Sequence, residues 1–195
     1  MAISAMAHMM NLTKPQLLLL RDKCIDVSLR DGTTMSGYKM SRERFLQAMQ
    51  DSSISLEPDY KVLEKLFTMW DKHGFGWVDC LTFLAGISPL ATVMDVDTKL
   101  RFAIEVYDHK KTGRISRANL IGILQAINET ASYFGDKVLQ PKQIVVIVDD
   151  LFDCESRIGD DDTIQYDGGI AKLANHPFLI EFSSGLGSIR YGTAR

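Results

Sequence analysis

The chain has 195 residues, of which 46% are hydrophobic and 24% charged, as is typical of a globular protein with one domain or two small lobes. Its formal net charge of −3 offers no electrostatic attraction to nucleic acid. The apolar run from Leu17 to Leu20 is far too short to span a membrane, and Ala2 leaves no N-terminal glycine for myristoylation. We therefore expect a cytoplasmic protein with neither a nucleic-acid nor a membrane partner.

Four segments of the chain repeat a pattern of helix, polar loop and helix. An aliphatic residue marks the same point of each loop, and the markers recur at similar intervals until a polar insert lengthens the last one. In chain order, the markers are Met40, Val78, Ile115 and Ile164. Markers of neighbouring loops are expected to pair as short β-bridges, which would join the four segments into two lobes.

Stripes of apolar residues at helical spacing predict the helices that flank these loops. The residues are Val62, Leu63, Leu66, Phe67 and Trp70 before the second loop, Leu120, Ile123, Leu124 and Ile127 after the third, and Ile144, Ile147, Val148, Leu151 and Phe152 before the fourth. Pro141 stands at the predicted start of the last of these helices. The simplest interpretation of each stripe is the core of a lobe.

The second and third loops keep the frame of a twelve-residue metal-binding loop. Each opens with an aspartate, Asp71 or Asp108, and each has a glycine at its sixth position, Gly76 or Gly113. Calcium-binding loops need glycine there because the chain turns with a positive φ. Without a metal ion, the two aspartates are expected to cap their own loops.

Most of the side chains that should bind the ion are missing from both loops. Calcium takes oxygen ligands from the first, third, fifth, seventh and ninth positions and a bidentate glutamate at the twelfth. The third, fifth and twelfth residues are His73, Phe75 and Thr82 in one loop, and Lys110, Thr112 and Asn119 in the other. An ammonium at the third position repels a cation, since like unit charges about 4 Å apart cost roughly 4 kcal/mol at an effective dielectric constant of about 20.

We therefore expect no metal or other cofactor, calcium included, at cellular concentrations. The weak candidates for metal ligands are Asp71, Asp79, Asp108 and Asp153. The outer loops are no better, because Arg44 occupies the twelfth position of the first loop and Gly168 that of the fourth. The fourth loop is also several residues too long, and its run from Asp160 to Asp162 either attracts a divalent ion loosely or forms a solvated acidic turn.

The segment TKLRFAIEVYD, followed closely by GRIS, resembles the third hand of the calcineurin B and neuronal calcium sensor branch of the EF-hand superfamily. The similarity extends from about Leu12 to Ala174. Within that branch, the irregular first hand and the C-terminal HPFLIEFSSGL resemble calaxin-like proteins and the EF-hand subunit of the outer-dynein-arm docking complex. The resemblance implies an all-α fold with four degenerate EF-hands paired into two lobes, each with an apolar groove that grips a partner helix. The calcium ligands of the family do not carry over.

The expected organisation is an N-terminal pair of hands in residues 1–90, a C-terminal pair in 91–176, and an apolar patch with a flexible tail in 177–195.

If no ion opens the lobes, a groove is either open constitutively or opened by its partner. The predicted function is that of an adaptor or light-chain-like subunit that binds an amphipathic helix or coiled coil of a larger assembly. The narrower resemblance implies dynein docking in the axoneme of a cilium or flagellum. The candidate groove residues are Met69, Trp70, Phe83, Leu84, Ile87, Phe178, Leu179 and Phe182.

Two alternatives remain open: a regulatory subunit of an enzyme such as a calcineurin-type phosphatase, and a calcium sensor that uses the atypical fourth loop. An enzyme is not expected, because the chain has no glycine-rich phosphate loop and no nucleophile in a recognisable setting.

The three cysteines, Cys24, Cys80 and Cys154, are an odd number without CxxC spacing, which is typical of reduced cytosolic thiols. His73 with Cys80 would be only half of a zinc site.

Overall fold

The computed structural model of the chain describes residues 12–30, 38–52, 60–90, 96–133, 138–154 and 162–177. The chain divides into two compact units, Met1–Leu84 with Leu90–Val93 and Ala85–Pro89 with Met94–Arg195. The division falls within one helix, and the predicted domain limits at residues 90 and 176 stay a prediction. Over the residues just given, no helix is long and apolar enough to cross a membrane.

The first unit contains two helix–loop–helix hands in sequence. Its elements are α1 (Lys14–Arg30), β1 (Lys39–Ser41), α2 (Arg42–Asp51), α3 (Tyr60–Trp70), β2 (Trp77–Asp79) and the first five residues of α4 (Cys80–Ile87). The rest of α4 and most of the 3-10 turn that follows it (Ser88–Leu90) belong to the second unit. The core of the first unit includes a cluster of fully buried rings: Phe45 packs edge-on against Phe67 and Phe83, with centroids 5.5 and 5.0 Å apart. Edge-to-face packing of this kind adds to the stabilisation from burial.

The second unit repeats the arrangement of two helix–loop–helix hands. Its elements are α5 (Val96–Tyr107), β3 (Arg114–Ser116), α6 (Arg117–Tyr133), α7 (Pro141–Cys154), β4 (Thr163–Gln165) and α8 (Tyr166–Ala174). The predicted stripes of α6 and α7 are buried in one core, and in α3 Leu63, Leu66 and Phe67 are buried. Val62 and Trp70, also placed on the core face of α3, are half-buried.

Antiparallel two-stranded sheets join the hands in pairs, as the repeat predicts. Met40 lies opposite Val78 in the first unit, and Ile115 lies opposite Ile164 in the second. All four side chains are buried. The frame deduced from the spacing of aliphatic residues is therefore confirmed, including its extension to the two outer loops, and the fold is the predicted all-α set of paired EF-hands with short β-bridges.

The ninth residue of three loops caps the helix that follows it. The Oγ of Ser41 accepts a hydrogen bond from the Arg44 N–H (3.4 Å), Oδ1 of Asp79 accepts one from the Thr82 N–H (2.8 Å), and the Oγ of Ser116 accepts one from the Asn119 N–H (3.2 Å). Serine and aspartate are preferred helix N-caps because they satisfy a backbone donor that has no partner within the helix. A position that could supply a calcium ligand is thus engaged in helix capping.

Candidate functional site

The second loop is closed by its first residue. Oδ1 of Asp71 accepts a hydrogen bond from the Phe75 N–H at 2.8 Å, and Oδ2 accepts one from the Gly76 N–H at 2.9 Å. Gly76 has a φ of 78°, as its sixth position requires, and Gly74 has a φ of 65°. The predicted capping role of this aspartate is therefore present in the structure.

An aromatic column occupies three ligand positions of the second loop. The rings of His73 and Phe75 lie 5.3 Å apart, and Phe75 stacks on Trp77 at 5.7 Å with an angle of 16° between the ring planes. Nζ of Lys39, from the paired strand β1, lies 3.8 Å from the Trp77 ring centroid. Phe75 is 63% exposed. A cation–π contact and packed rings hold this side of the loop, and two of the rings, His73 and Phe75, stand where a calcium site needs side-chain oxygens, whereas the seventh position of Trp77 would contribute only its backbone carbonyl.

The first residue of the third loop is more fully enclosed. Oδ1 of Asp108 accepts hydrogen bonds from the Thr112 N–H and Oγ1–H, both at 2.8 Å, and Oδ2 accepts one from the Gly113 N–H at 2.7 Å. A further donor comes from the fourth hand, since the Tyr166 hydroxyl lies 3.1 Å from the same Oδ2. The Asp108 carboxylate thus holds its own loop together and fastens the partner hand to it.

Electrostatics agree with this hydrogen bonding. Burial opposes ionisation of Asp108, but the hydrogen bonds from Thr112, Gly113 and Tyr166 outweigh it, so that the pKa of the carboxyl group is lowered. Burial, followed by the hydrogen bond to Asp108, raises the pKa of Tyr166 to about 12. The pair is therefore a carboxylate with a neutral phenol across the neutral pH range.

The remaining metal candidates are scattered over the structure. Lys110 is exposed at the third position of the third loop, and Asp153 is exposed near the end of α7. Residues 155–161 of the fourth loop, with most of its acidic run, lie outside the described residues. Across the ranges that are described, no three of the histidine, cysteine, aspartate and glutamate side chains form a group that could hold a metal ion.

The candidate groove residues fall into three groups. Phe83, Leu84 and Ile87 are buried within the structure, with at most 1% of their surface exposed. Met69 and Trp70 are half-buried, and the Trp70 ring packs edge-on against Phe83 with centroids 5.5 Å apart. The other three, Phe178, Leu179 and Phe182, lie outside the described residues. The groove assignment therefore stays a prediction.

A small cavity that sequence reasoning missed lies between the two helices of the fourth hand. Its volume is about 150 Å³, and its lining includes Ile147 and Leu151 from α7 and Leu173 from α8. Cys154 and His176 also border it. The apolar stripe of α7 placed the first two residues in the core, but helical spacing carries no sign that packing against α8 leaves a gap.

No protein-family model matches the chain. Over 97 residues it is 32% identical to the type 2 calcineurin B of Bos taurus, and the match covers 45% of this chain and 57% of that protein. Over 107 residues it is 30% identical to the calcineurin B of Yarrowia lipolytica, with coverage of 49% and 62%. Both relatives are subunits of calcineurin. The fold and these similarities together support membership of the EF-hand superfamily.

A third EF-hand relative is named for a different function. Guanylyl cyclase-activating protein 1 of Gallus gallus is 34% identical over 67 residues, which cover 34% of this chain and 33% of that protein. The chain spans about three-fifths of the length of the two calcineurin B relatives above. By their names, these relatives are subunits or activators of enzymes rather than enzymes themselves, which supports a sensor or regulatory-subunit type of protein.

Proposed function

We propose that this EF-hand protein is a regulatory or adaptor subunit that holds a helix of a larger protein assembly and needs no calcium to do so. The observation that carries the proposal is the composition of the ligand positions. His73 and Phe75 fill the third and fifth positions of the second loop with rings that pack beside Trp77, and Lys110 places a cation at the third position of the third loop. An EF-hand fold that keeps its paired loops without the ion's ligands is suited to permanent assembly rather than to calcium signalling.

The similarity to calcineurin B supports a protein partner. EF-hand pairs bind partners by receiving the apolar face of an amphipathic helix in a groove. A ligand shifts a lobe from its closed to its open state only if it binds the open state more tightly. If calcium does not bind, the partner helix itself must bind the open state more tightly than the closed one. A catalytic chain of the phosphatase type is one such partner.

Docking of outer-arm dynein in the axoneme is the narrower form of this proposal. It depends on the resemblance of the irregular first hand and of HPFLIEFSSGL to calaxin-like proteins, and most of the latter segment lies beyond the described residues. In this form the protein resides in the cytoplasm of a cilium or flagellum and binds a coiled coil. The competing form is a calcium sensor that uses the long fourth loop and Asp153.

Calcium titration separates a constitutive subunit from a sensor. Calcium is added to the reduced, chelator-treated protein in a calorimeter, while fluorescence follows Trp70 and Trp77 beside the second loop. A constitutive subunit predicts no saturable heat and no change in emission up to about 1 mM, where even weak calcium modules bind. Micromolar binding would contradict calcium independence and favour the sensor.

A second experiment identifies the type of partner. The tagged protein is purified from cells in the presence of a calcium chelator, and the stoichiometry of stable partners is determined. A fixed ratio with one catalytic chain supports the enzyme subunit, and a fixed ratio with a coiled-coil protein supports the adaptor. If every partner is lost in the chelator and returns with calcium, the proposed constitutive binding is wrong.

A further inference from the structure

An arginine contact recurs in both units. The first loop of each pair has arginine at its tenth position, and the guanidinium lies over a phenylalanine of the helix that enters the second loop of the pair. The Cζ of Arg42 is 5.4 Å from the Phe67 ring centroid, and the Cζ of Arg117 is 4.6 Å from that of Phe152. Both rings are buried. Recurrence in two separate pairs indicates that the contact belongs to the construction of the pair.

In the second unit the same guanidinium also binds two carboxylates. Arg117 forms an ion pair with Asp149 of α7, and its Nε lies 3.3 Å from Oδ1 of Asp162 at the sixth position of the fourth loop. The Arg117 N–H also donates a hydrogen bond of 3.2 Å to the Asp162 carbonyl oxygen. One side chain of the third hand thus reaches the helix before the fourth loop, the ring on that helix, and the turn at the sixth position of the loop.

Asp162 is held in an unusual backbone conformation at this point. Its φ is 45°, and it lies two residues before the β-bridge residue Ile164, which is the place that Gly76 and Gly113 occupy in their loops. Aspartate tolerates the left-handed region better than most residues do, but at some cost in energy. Contact with the Arg117 main chain and side chain therefore fixes a residue that would otherwise favour another conformation.

We propose that the Arg117 guanidinium is a built-in cation that does for the fourth hand what a bound calcium ion does in an ordinary hand. An ion in the loop joins carboxylates from its beginning and its end. The Arg117 guanidinium joins a different pair of points, the helix before the fourth loop at Asp149 and the sixth position of the loop at Asp162, because its planar fork binds more than one carboxylate and its face stacks on an aromatic ring. The inference rests on the proposed function in one respect, namely that the pair keeps its shape without calcium.

The geometry distinguishes this group from an ordinary surface ion pair. The Arg117 side chain is 23% exposed, whereas Asp149 and Asp162 are about half exposed, at 46% and 57%. Either pair alone would contribute little, but a network anchored on a buried ring holds the arginine in one position. Arg101 with Asp167 offers a matched contrast, because it also joins the two hands but its carboxylate is 74% exposed.

The test compares Arg117→Gln, Arg117→Lys and Arg101→Gln in the full chain, by thermal unfolding in a chelator. Arg117→Gln is expected to lower the unfolding midpoint of the second unit by roughly 4 °C or more, and Arg117→Lys by at least half as much. Arg101→Gln is expected to change it by no more than about 1 °C. Equal effects of Arg117→Gln and Arg101→Gln would overturn the proposal.

A double-mutant cycle with Asp149→Asn shows whether the two groups act together. If they do, the double variant loses less stability than the sum of the two single variants. Amide hydrogen exchange supplies a local measurement: Ile115 and Ile164 should exchange faster in Arg117→Gln, while Met40 and Val78 in the other unit should not. Should Arg117→Gln fail to fold, Arg117→Lys is measured in the same way. Additive losses, or equal changes in both units, would contradict the assignment.

Calcium separates the two proposals from each other. Stabilisation of the unmodified protein by calcium would contradict the proposed calcium independence and leave the effect of Arg117→Gln in place. An Arg117→Gln variant as stable as the unmodified chain would overturn the built-in cation and leave calcium independence in place.

Discussion

The hydroxyl of Tyr166 donates a hydrogen bond across 3.1 Å to Oδ2 of Asp108, joining the tenth residue of the fourth loop to the first residue of the third. The residues lie 58 positions apart in the chain. Tyr166 also donates its backbone N–H to the Gly113 carbonyl oxygen, so that one residue fastens the fourth hand to both ends of the Asp108–Gly113 turn. The carboxylate at the first position of the loop, which binds calcium in other EF-hands, thus links two hands here.

Removing the Tyr166 hydroxyl should lower the stability of the second unit without creating a cavity in its core. Tyr166→Phe keeps the buried ring and deletes one hydrogen bond to a charged group, for which we expect a loss of about 1 to 2 kcal/mol in the free energy of unfolding. Chemical denaturation followed by circular dichroism measures it. Tyr60→Phe is the control, because Tyr60 is 46% exposed and should change little. Equal losses in the two variants would contradict the role of the hydrogen bond.

The stability contributed by Asp108 should decrease as the pH is lowered. Because its pKa is lowered in the folded state, the stabilisation is present above the unfolded pKa of the carboxyl group and is lost as pH falls through the folded pKa. The difference in unfolding free energy between the unmodified chain and Asp108→Asn should therefore be largest near neutral pH. Below the folded pKa it should reach its minimum. A difference that does not change with pH would show that ionisation of Asp108 is not the source.

Tyr166 should show the complementary behaviour in alkali. Its pKa is raised to about 12, so its contribution is complete below the pKa of an unfolded tyrosine and is lost as pH rises through the folded value. Ultraviolet absorbance of tyrosinate follows this titration. Comparison with Tyr166→Phe should show that one late-titrating phenol has disappeared. If the variant instead loses a phenol that titrates near the ordinary pKa of tyrosine, the assignment of the raised pKa to Tyr166 is wrong.

Asp79 should act as a helix cap and not as a metal ligand. Asp79→Ala removes the acceptor for the Thr82 N–H and is expected to cost about 1 kcal/mol of unfolding free energy. Asp79→Ser should restore most of the loss, since serine is an equally good N-cap and is already found at this point before α2 and α6. Chemical denaturation in a chelator measures both variants. Failure of serine to restore stability would contradict the capping role.

The repeat and its core could be predicted from sequence because they depend on periodic residues. Spacing from Val78 predicts Met40 and spacing from Ile115 predicts Ile164, and each pairs as expected although its loop keeps almost none of the calcium ligands. Helical spacing also placed the buried residues of α6 and α7. Periodicity reports which face of an element is buried, and this requires no knowledge of distant contacts.

The cross-links between hands could not be predicted in the same way. Arg117 meets Asp149 and Asp162 only because the β-bridge brings the tenth residue of one loop beside the sixth residue of the next. No local pattern distinguishes Arg117 from an exposed arginine. The positive φ of Asp162 could not be predicted either. An acidic run predicts a polar turn, but it does not indicate which of its residues takes the left-handed conformation.

Restoring the missing ligands should turn the second loop into a calcium site. Asp71 and the Gly76 turn with its φ of 78° are already in place, so the loop lacks oxygens rather than shape. We expect the triple variant His73→Asp, Phe75→Asp and Thr82→Glu to bind calcium with a dissociation constant of about 10⁻⁴ M or tighter. Calorimetry gives the affinity, and Trp77 fluorescence should report the loss of its stacking with the residue 75 ring.

The matched control carries His73→Asn, Phe75→Asn and Thr82→Gln, which have nearly the same shapes but no added charge. It should bind at least tenfold more weakly, because calcium affinity follows the number of charged ligands. The aromatic column contributes little to global stability, since Phe75 is largely exposed, so both variants should unfold close to the unmodified chain in a chelator. A folded triple variant with a flat calcium titration would show that the backbone frame of the loop, and not its side chains alone, has lost the geometry for the ion.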